Sequence, residues 1–267
     1  TFEEYPSHGL ATAETALVTI WPSLNAYHND LVLVGGLALK YLTRQQAGGW
    51  PGVVTTDVDF GISLATDSGL YSTIQTDLSG LGFRPDSVQK NRLVRQVNNM
   101  ALYVDFLTEA PPAQTGTRMI NDVVASVFPG INRALQLRRE IEISGKDIYG
   151  KEKTCLLAVA DIGPLLVLKI NAFGGPTGRL HPKDAYDVLL AVSSFIDGPE
   201  AAVEAFQSEG KSGNRGYDTA VDALHRYFSS TDSDAPVRAA QFLSGTINDQ
   251  QKVREDLVTV ATFLLNK

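Results

Sequence analysis

The stretch from Leu31 to Ile62 constrains the fold most, because it predicts a strand, a turn, a helix, a loop and a second strand in close succession. Its opening apolar run ends abruptly at Gly35-Gly36, and helix-forming residues follow. Glycine tolerates positive φ and a close approach of the backbone, so the pair predicts a tight strand-to-helix turn. The free N–H groups at the start of such a helix are typical phosphate ligands.

The second strand of this stretch carries two aspartates on one face. Asp57 and Asp59 alternate with apolar residues, and a strand has a side-chain period of two. The apolar residues are therefore expected to face a core, while both carboxylates share the opposite face. Two carboxylates so close together repel each other unless water or a divalent cation offsets their charge. The pattern favours either a solvated strand edge or a metal site.

A third carboxylate appears in a matching frame further along the chain. In Ala101–Leu107 the apolar residues again alternate with a second set, which includes Asp105. If this strand lies beside the strand of Asp57 and Asp59, Asp105 can fall on the same face. We therefore expect the three carboxylates to converge on one cleft.

The second half of the chain holds a lysine in an unexpected place. Lys169 lies within LLVLKINAF, a run that is otherwise almost entirely apolar. Burying an unpaired charge is costly, so this side chain either snorkels to the surface or points into a cleft toward phosphate. Asp184 and Asp187 follow, one helical turn apart. We expect Asp184 to cap and solvate the start of a helix, which leaves Asp187 as the better functional candidate.

The glycine turn, the Asp-x-Asp pair and the later aspartate resemble the metal site of polymerase-β-like nucleotidyltransferases. Lys169 and the segment KDAYDVLLAV extend the likeness to the AbiEii/AbiGii nucleotidyltransferase toxins, over about residues 31–195. The chain departs from the pattern at Gly36, where many nucleotidyltransferases have serine, and in its long glycine-rich loop before Asp57. The first departure removes a hydroxyl contact to the phosphates and puts more weight on backbone donors.

The resemblance implies transfer of a nucleotide from an NTP to an acceptor, with Mg²⁺ in a two-metal site. The carboxylates that would hold Mg²⁺ are Asp57, Asp59 and Asp105. The residues that would hold the triphosphate are Gly35, Gly36 and Lys169. Asp187 would orient Lys169 or contact the base or the acceptor.

Members of this family are toxins of toxin–antitoxin pairs, and some modify tRNA ends. The resemblance therefore implies tRNA or another RNA as the acceptor and a cognate antitoxin as a partner. Two alternatives stay open. One is a nucleotidyltransferase fold that has lost activity and acts as a binding or regulatory module. The other is an enzyme that modifies a small molecule such as an antibiotic.

The charge of the chain is uneven. The net charge is −7, which argues against a protein that coats nucleic acid nonspecifically. Residues 84–153 nevertheless hold eleven basic and eight acidic residues, so this segment carries +3 and the rest carries −10. The segment is either a set of ordinary solvated loops or a basic surface for a polyanionic acceptor.

Composition sets the remaining limits. No apolar run approaches the ~20 residues of a membrane span, so we expect no membrane contact. The single Cys155 excludes an internal disulfide, and a reducing cytoplasm fits this. We expect an α/β fold, with a polymerase-β-like nucleotidyltransferase domain over residues 1–160 that has a mixed sheet. An α-helical domain is expected over residues 161–267. Within the first domain, Thr66–Leu81 and Arg118–Phe128 are expected to be helices.

Overall fold

The computed structural model describes residues 1–44, 49–63, 74–89, 91–97, 100–111, 114–120 and 122–266. The chain divides into two compact units. The sheet unit comprises His8–Ala38 and Thr55–Ala160. The helical unit comprises Thr1–Ser7, Leu39–Val54 and Asp161–Lys267. Domains at residues 1–160 and 161–267 stay a prediction, because a compact unit is not by itself one that folds alone.

The sheet unit is built on a mixed sheet, as the sequence predicts. Its strands in the described residues are β1 Leu31–Val34, β2 Asp57–Ile62, β3 Arg84–Pro85, β4 Arg92–Val97, β5 Met100–Thr108, β6 Thr117–Ile120, β7 Val123–Val127, β8 Arg138–Lys146 and β9 Glu152–Ala160. Their order is β3-β4-β5-β2-β1-β9-β8, with β7 paired to the end of β5 and β6 to β7. The pairs β2–β5 and β1–β9 are parallel, while β1–β2, β4–β5 and β8–β9 are antiparallel.

Helices cover this sheet and close its core. They are α1 Gly9–Ser23, α2 Gly35–Leu42, α3 Ile74–Gly80 and α4 Ile131–Gln136, of which α2 continues into the helical unit. The buried ring of Phe60 lies 5.8 Å from Trp21 of α1 and 6.1 Å from Phe106, measured between ring centroids. The apolar residues of β2 are thus buried, which confirms that the alternation separates a core face from a carboxylate face.

One predicted helix in this unit is wrong. Within Arg118–Phe128 most of the described residues belong to the paired antiparallel strands β6 and β7 instead. The β-branched residues of this segment lose side-chain freedom in a helix but pack well on a pleated sheet. Half of the helix expected over Thr66–Leu81, residues 66–73, lies outside the described residues, and Ile74–Gly80 is helical.

The helical unit contains α5 Ile162–Gly174, α6 Pro182–Ser193, α7 Pro199–Glu209, α8 Tyr217–Tyr227, α9 Asp234–Phe242 and α10 Gln250–Leu265. Asp161 caps α5, since its carboxylate accepts a hydrogen bond from the Ile162 N–H at 2.7 Å. Gly163 lets α7 approach closely, because a Cβ there would lie 2.7 Å from the carbonyl oxygen of Ala205. Across the described ranges, no helix has the length and apolar character needed to span a membrane.

Candidate metal centre

Strand pairing brings the three predicted carboxylates together. In the parallel register of β2 and β5, Asp59 lies opposite Asp105, and Asp57 lies two residues before Asp59. One ligand oxygen from each of the three lies within 4.8 Å of the other two. Asp105 is buried, whereas Asp57 and Asp59 are half-buried. The predicted convergence of the three carboxylates is confirmed.

The glycine turn stands directly beside this cluster. Val34, the last residue of β1, pairs with Asp59, and α2 begins at the next residue, Gly35. Gly35 has a φ of 72°, and a Cβ on it would overlap the carboxylate of Asp59. Both observations require glycine at this position. The N-terminus of α2 therefore lies next to the carboxylates, where its N–H groups can bind an anion.

Gly36 is required by a different neighbour, Thr55. A Cβ on Gly36 would lie 2.7 Å from both Cβ and Oγ1 of Thr55, whose side chain is buried. The Thr55 hydroxyl donates a hydrogen bond of 2.7 Å to Oδ1 of Asp57. Thr55 thus orients one carboxylate of the cluster. Sequence reasoning missed it, although its position two residues before Asp57 was available as a signal.

Arg92, on β4, supplies the positive charge at this cluster. Its Nε and Nη2 donate to the two oxygens of Asp105 at 2.9 and 2.5 Å, and Nη2 also donates to Oδ2 of Asp57 at 3.2 Å. The guanidinium lies 4.6 Å from the ring centroid of Tyr103. The hydrogen bonds to Asp105 raise the pKa of Arg92 despite its burial, and the charges of the three aspartates act in the same direction. The guanidinium is therefore permanently charged here.

Sequence reasoning counted Arg92 only as part of the basic segment. The signal that could have found it is the antiparallel pairing of β4 with β5, in which Arg92 lies opposite Asp105.

The donor set fits a hard divalent cation. Carboxylate oxygens are the ligands that Mg²⁺ prefers, and three of them converge here. The cluster already holds one cationic group, the Arg92 guanidinium, at two of its carboxylates. Asp57, Asp59 and Asp105 could therefore hold a metal ion, with Gly35 keeping the backbone clear of Asp59.

Comparison of the sequence with known proteins gave no match. No protein-family model matches the sequence, and no curated protein matches it. The resemblance to nucleotidyltransferase toxins consequently rests on the residues and their arrangement alone.

The second set of residues predicted from the sequence includes Lys169 and Asp187. It lies in the helical unit and forms a cluster of ion pairs. Lys169 of α5 and Lys183 of α6 each donate a hydrogen bond of 2.6 Å to the same oxygen, Oδ2 of Asp187. All three side chains are buried, so Lys169 does not snorkel to the surface. The other oxygen of Asp187, Oδ1, is buried and has no hydrogen-bond partner among the described residues. That Lys169 binds a triphosphate stays a prediction.

Lys183 was not predicted, although it stands four residues before Asp187 on one helix, a spacing that brings side chains together. Burial alone would lower the pKa of Lys183. The charges of Asp187 and Asp184 outweigh burial and raise that pKa. Lys183 is therefore a buried cation that shares the Asp187 oxygen with Lys169.

The expectation that Asp184 is a solvated cap is wrong. The N-cap of α6 is His181, whose side chain accepts from the Lys183 N–H. Asp184 is 1% exposed and accepts two hydrogen bonds from Arg179, at 2.7 and 3.0 Å. Burial would raise the pKa of Asp184, but these hydrogen bonds and nearby positive charges lower it.

The basic segment divides into tethered and exposed cations. Arg95 donates to the backbone carbonyl of Leu81, and Arg138 donates to the carbonyls of His28, Asn29 and Leu31. These two arginines fix local structure. The exposed cations of the described segment include Arg118, Lys146, Lys151 and Lys153. These exposed cations are the part of the basic segment that could bind a polyanion.

Proposed function

We propose that this chain is a metal-dependent nucleotidyltransferase, which moves a nucleotide from an NTP to an acceptor and releases pyrophosphate. The observation that carries the proposal is the meeting of Asp57, Asp59 and Asp105 beside the N-terminus of α2. Carboxylates for Mg²⁺ and backbone N–H groups for phosphate are the two elements that phosphoryl transfer needs in one place.

The site residues of the sheet unit each have a defined role in this proposal. Asp57, Asp59 and Asp105 hold Mg²⁺, and Thr55 fixes the orientation of Asp57. Bound Mg²⁺ would neutralise charge on the phosphates and lower the pKa of the attacking hydroxyl. The N–H groups at the start of α2 bind phosphate oxygens, and the absence of a side chain at Gly35 leaves room for that approach.

The proposed acceptor is RNA, in particular tRNA. The exposed cations around Lys151 and Lys153 support it, because a polyanion needs exposed positive charge to bind an acidic protein. Under this proposal the chain is the toxin of a toxin–antitoxin pair, acts in the cytoplasm and is controlled by a cognate antitoxin.

The proposal is tested by incubating the protein with each α-labelled NTP, Mg²⁺ and total tRNA. We expect label from one or more NTPs to appear on RNA, and Asp59→Asn to abolish the transfer. Glu142→Gln, which changes an exposed carboxylate on β8 of the same unit, is the matched control and should be fully active. Absence of label from RNA and protein with all four NTPs would contradict the proposal.

A second candidate function is a nucleotidyltransferase fold that binds without catalysis. The observation that favours it is the ion pairing of Arg92 with Asp105 and Asp57, since a guanidinium can neutralise these carboxylates without metal. Such a protein would bind no divalent cation at the cluster. Metal binding measured in the absence of any acceptor separates the two candidates.

A further inference from the structure

Arg92 and a metal ion at the three aspartates require the same oxygen atoms. Both oxygens of Asp105 accept hydrogen bonds from the Arg92 guanidinium. Of the two oxygens of Asp57, one accepts from Thr55 and the other accepts from Arg92. A cation bound by Asp57 and Asp105 therefore competes with Arg92 for these oxygens. Two positive groups at this distance also repel each other in a partly buried site.

We propose that Arg92 changes partners during the reaction cycle. It pairs with Asp105 and Asp57 before metal binds, and it pairs with a phosphate of the nucleotide once metal holds those carboxylates. This inference rests on the proposed function, which supplies the metal and the nucleotide. It assigns Arg92 as a phosphate ligand and as the group that sets the metal affinity of the free protein.

The position of Arg92 suits such an exchange. The backbone of β4 is fixed by pairing with β5, but the side chain is long and 19% exposed. Its guanidinium can therefore leave Asp105 without any change in the strand. The planar fork that binds two carboxylate oxygens binds two phosphate oxygens equally well. The phosphate-binding N-terminus of α2 begins beside Asp59, the register partner of Asp105.

The exchange predicts how metal and nucleotide affect each other. Without nucleotide, metal must displace a bidentate guanidinium and leave it without a carboxylate partner, so metal binding is weak. With nucleotide, the displaced guanidinium gains phosphate oxygens, so metal binding is strengthened. Linkage requires that metal strengthens nucleotide binding by the same factor. Direct attraction between metal and phosphate strengthens both in any case. The exchange of Arg92 adds to this coupling, whereas a purely structural Arg92 would add nothing to it.

The test measures Mn²⁺ binding to the full chain by electron paramagnetic resonance, with and without a non-hydrolysable NTP. The variants are Arg92→Gln, Arg92→Lys and the matched control Arg95→Gln, which alters an arginine of the same strand tied to the Leu81 carbonyl. Without nucleotide, we expect Arg92→Gln to bind Mn²⁺ about tenfold more tightly than the wild type. Addition of the NTP analogue should strengthen Mn²⁺ binding by a larger factor in the wild type and in Arg95→Gln than in Arg92→Gln.

Arg92→Lys keeps a positive charge but loses the planar guanidinium. Its Mn²⁺ affinity should therefore lie between those of the wild type and Arg92→Gln, and its coupling to nucleotide should be weak. It also serves if Arg92→Gln fails to fold. Equal Mn²⁺ affinity in the wild type and the Arg92 variants would overturn the partner exchange, and so would undiminished coupling in them. If nucleotide transfer is present in that case, the proposed function stands. If no protein binds Mn²⁺ and none transfers nucleotide, both fail.

Discussion

Asp59 and Asp105 lie opposite each other, in register, on the parallel strands β2 and β5. Because side chains of paired residues leave the same face of a sheet, this register alone places two carboxylates side by side. On the other edge of β2, Asp59 pairs with Val34, the residue before the glycine turn. The turn and the carboxylates are thus neighbours because of strand pairing, although they are far apart in sequence.

Gly35→Ala should destabilise the protein by more than the backbone strain alone, because it also disturbs the carboxylate cluster. A left-handed conformation costs a non-glycine residue roughly 1–2 kcal/mol. The new Cβ would in addition displace the carboxylate of Asp59. The matched control is Gly150→Ala, because Gly150 has a similar φ of 77° and nothing within 4 Å of its Cβ position.

We expect Gly150→Ala to lower the free energy of unfolding by that strain alone and to leave Mn²⁺ binding intact. Gly35→Ala should be less stable than the control and should bind Mn²⁺ more weakly. Urea unfolding and Mn²⁺ titration measure the two effects. Equal losses in the two variants would show that Gly35 matters only for its backbone conformation.

The buried lysines of the helical unit should differ in function but not in stability. Lys169→Met and Lys183→Met each leave Asp187 paired with the remaining lysine, so either variant should unfold at nearly the wild-type urea concentration. Asp187→Asn leaves two buried cations without a carboxylate, which typically costs about 3–5 kcal/mol. Urea unfolding of the three variants tests this order.

If Lys169 binds the triphosphate, as the resemblance implies, Lys169→Met should remove the stabilisation of the protein by Mg²⁺ and NTP. A ligand at a hundred times its Kd adds about 2.7 kcal/mol to the folded state, and this variant should lose most of that. Lys183→Met is the matched control and should keep the increase in melting temperature. An unchanged increase in the Lys169→Met protein would remove Lys169 from the nucleotide site.

Asp184 should contribute stability that disappears in acid. Its pKa in the folded protein is below the usual value of 3.8, so its contribution is complete above about pH 4 and is lost as the pH falls through the folded pKa. The difference in free energy of unfolding between the wild type and Asp184→Asn should therefore shrink below pH 4. Arg179→Gln should reduce the same pH dependence, because Arg179 donates to Asp184. A difference that is constant from pH 6 to pH 2.5 would contradict this account.

Charge reversal of Lys151 and Lys153 should weaken RNA binding and leave NTP binding unchanged. Both residues are exposed, so the reversal should not affect the fold. Each lost phosphate contact should reduce the slope of log K against log salt by about 0.7–0.9. Filter binding of labelled tRNA across a salt series measures the slope, with Lys211→Glu in the helical unit as the control. If RNA binding is absent or unaffected, a small-molecule or protein acceptor is favoured.

The carboxylate cluster could be predicted because its geometry follows from a local rule. Alternation of side chains puts Asp57 and Asp59 on one face, and pairing of β2 with β5 brings Asp105 to them. The mixed α/β sheet and the later helices follow from similarly short periodicities. The helix predicted over Arg118–Phe128 is wrong because no local pattern determines the structure of that segment. Pairing with neighbouring strands determines it.

Apart from Lys183 and Asp187, which stand four residues apart on α6, the ion pairs of the two clusters could not be predicted from spacing, because they depend on contacts between distant segments. Arg92 reaches Asp105 only through the exact register of β4 with β5. Lys169 and Asp187 meet because two buried helices pack together, and the burial of Asp184 has the same cause. These contacts determine which charges are available to a ligand, and the sequence pattern alone does not contain them.

The most direct test of the account is the position of a metal ion in crystals of the protein grown with Mn²⁺ and a non-hydrolysable NTP. The account predicts an anomalous scattering peak about 2 Å from carboxylate oxygens of Asp57 and Asp59, with the Arg92 guanidinium moved from Asp105 to a phosphate. A cluster without a peak, with Arg92 still paired to Asp105 and Asp57, would contradict the assignment of these carboxylates as a metal centre.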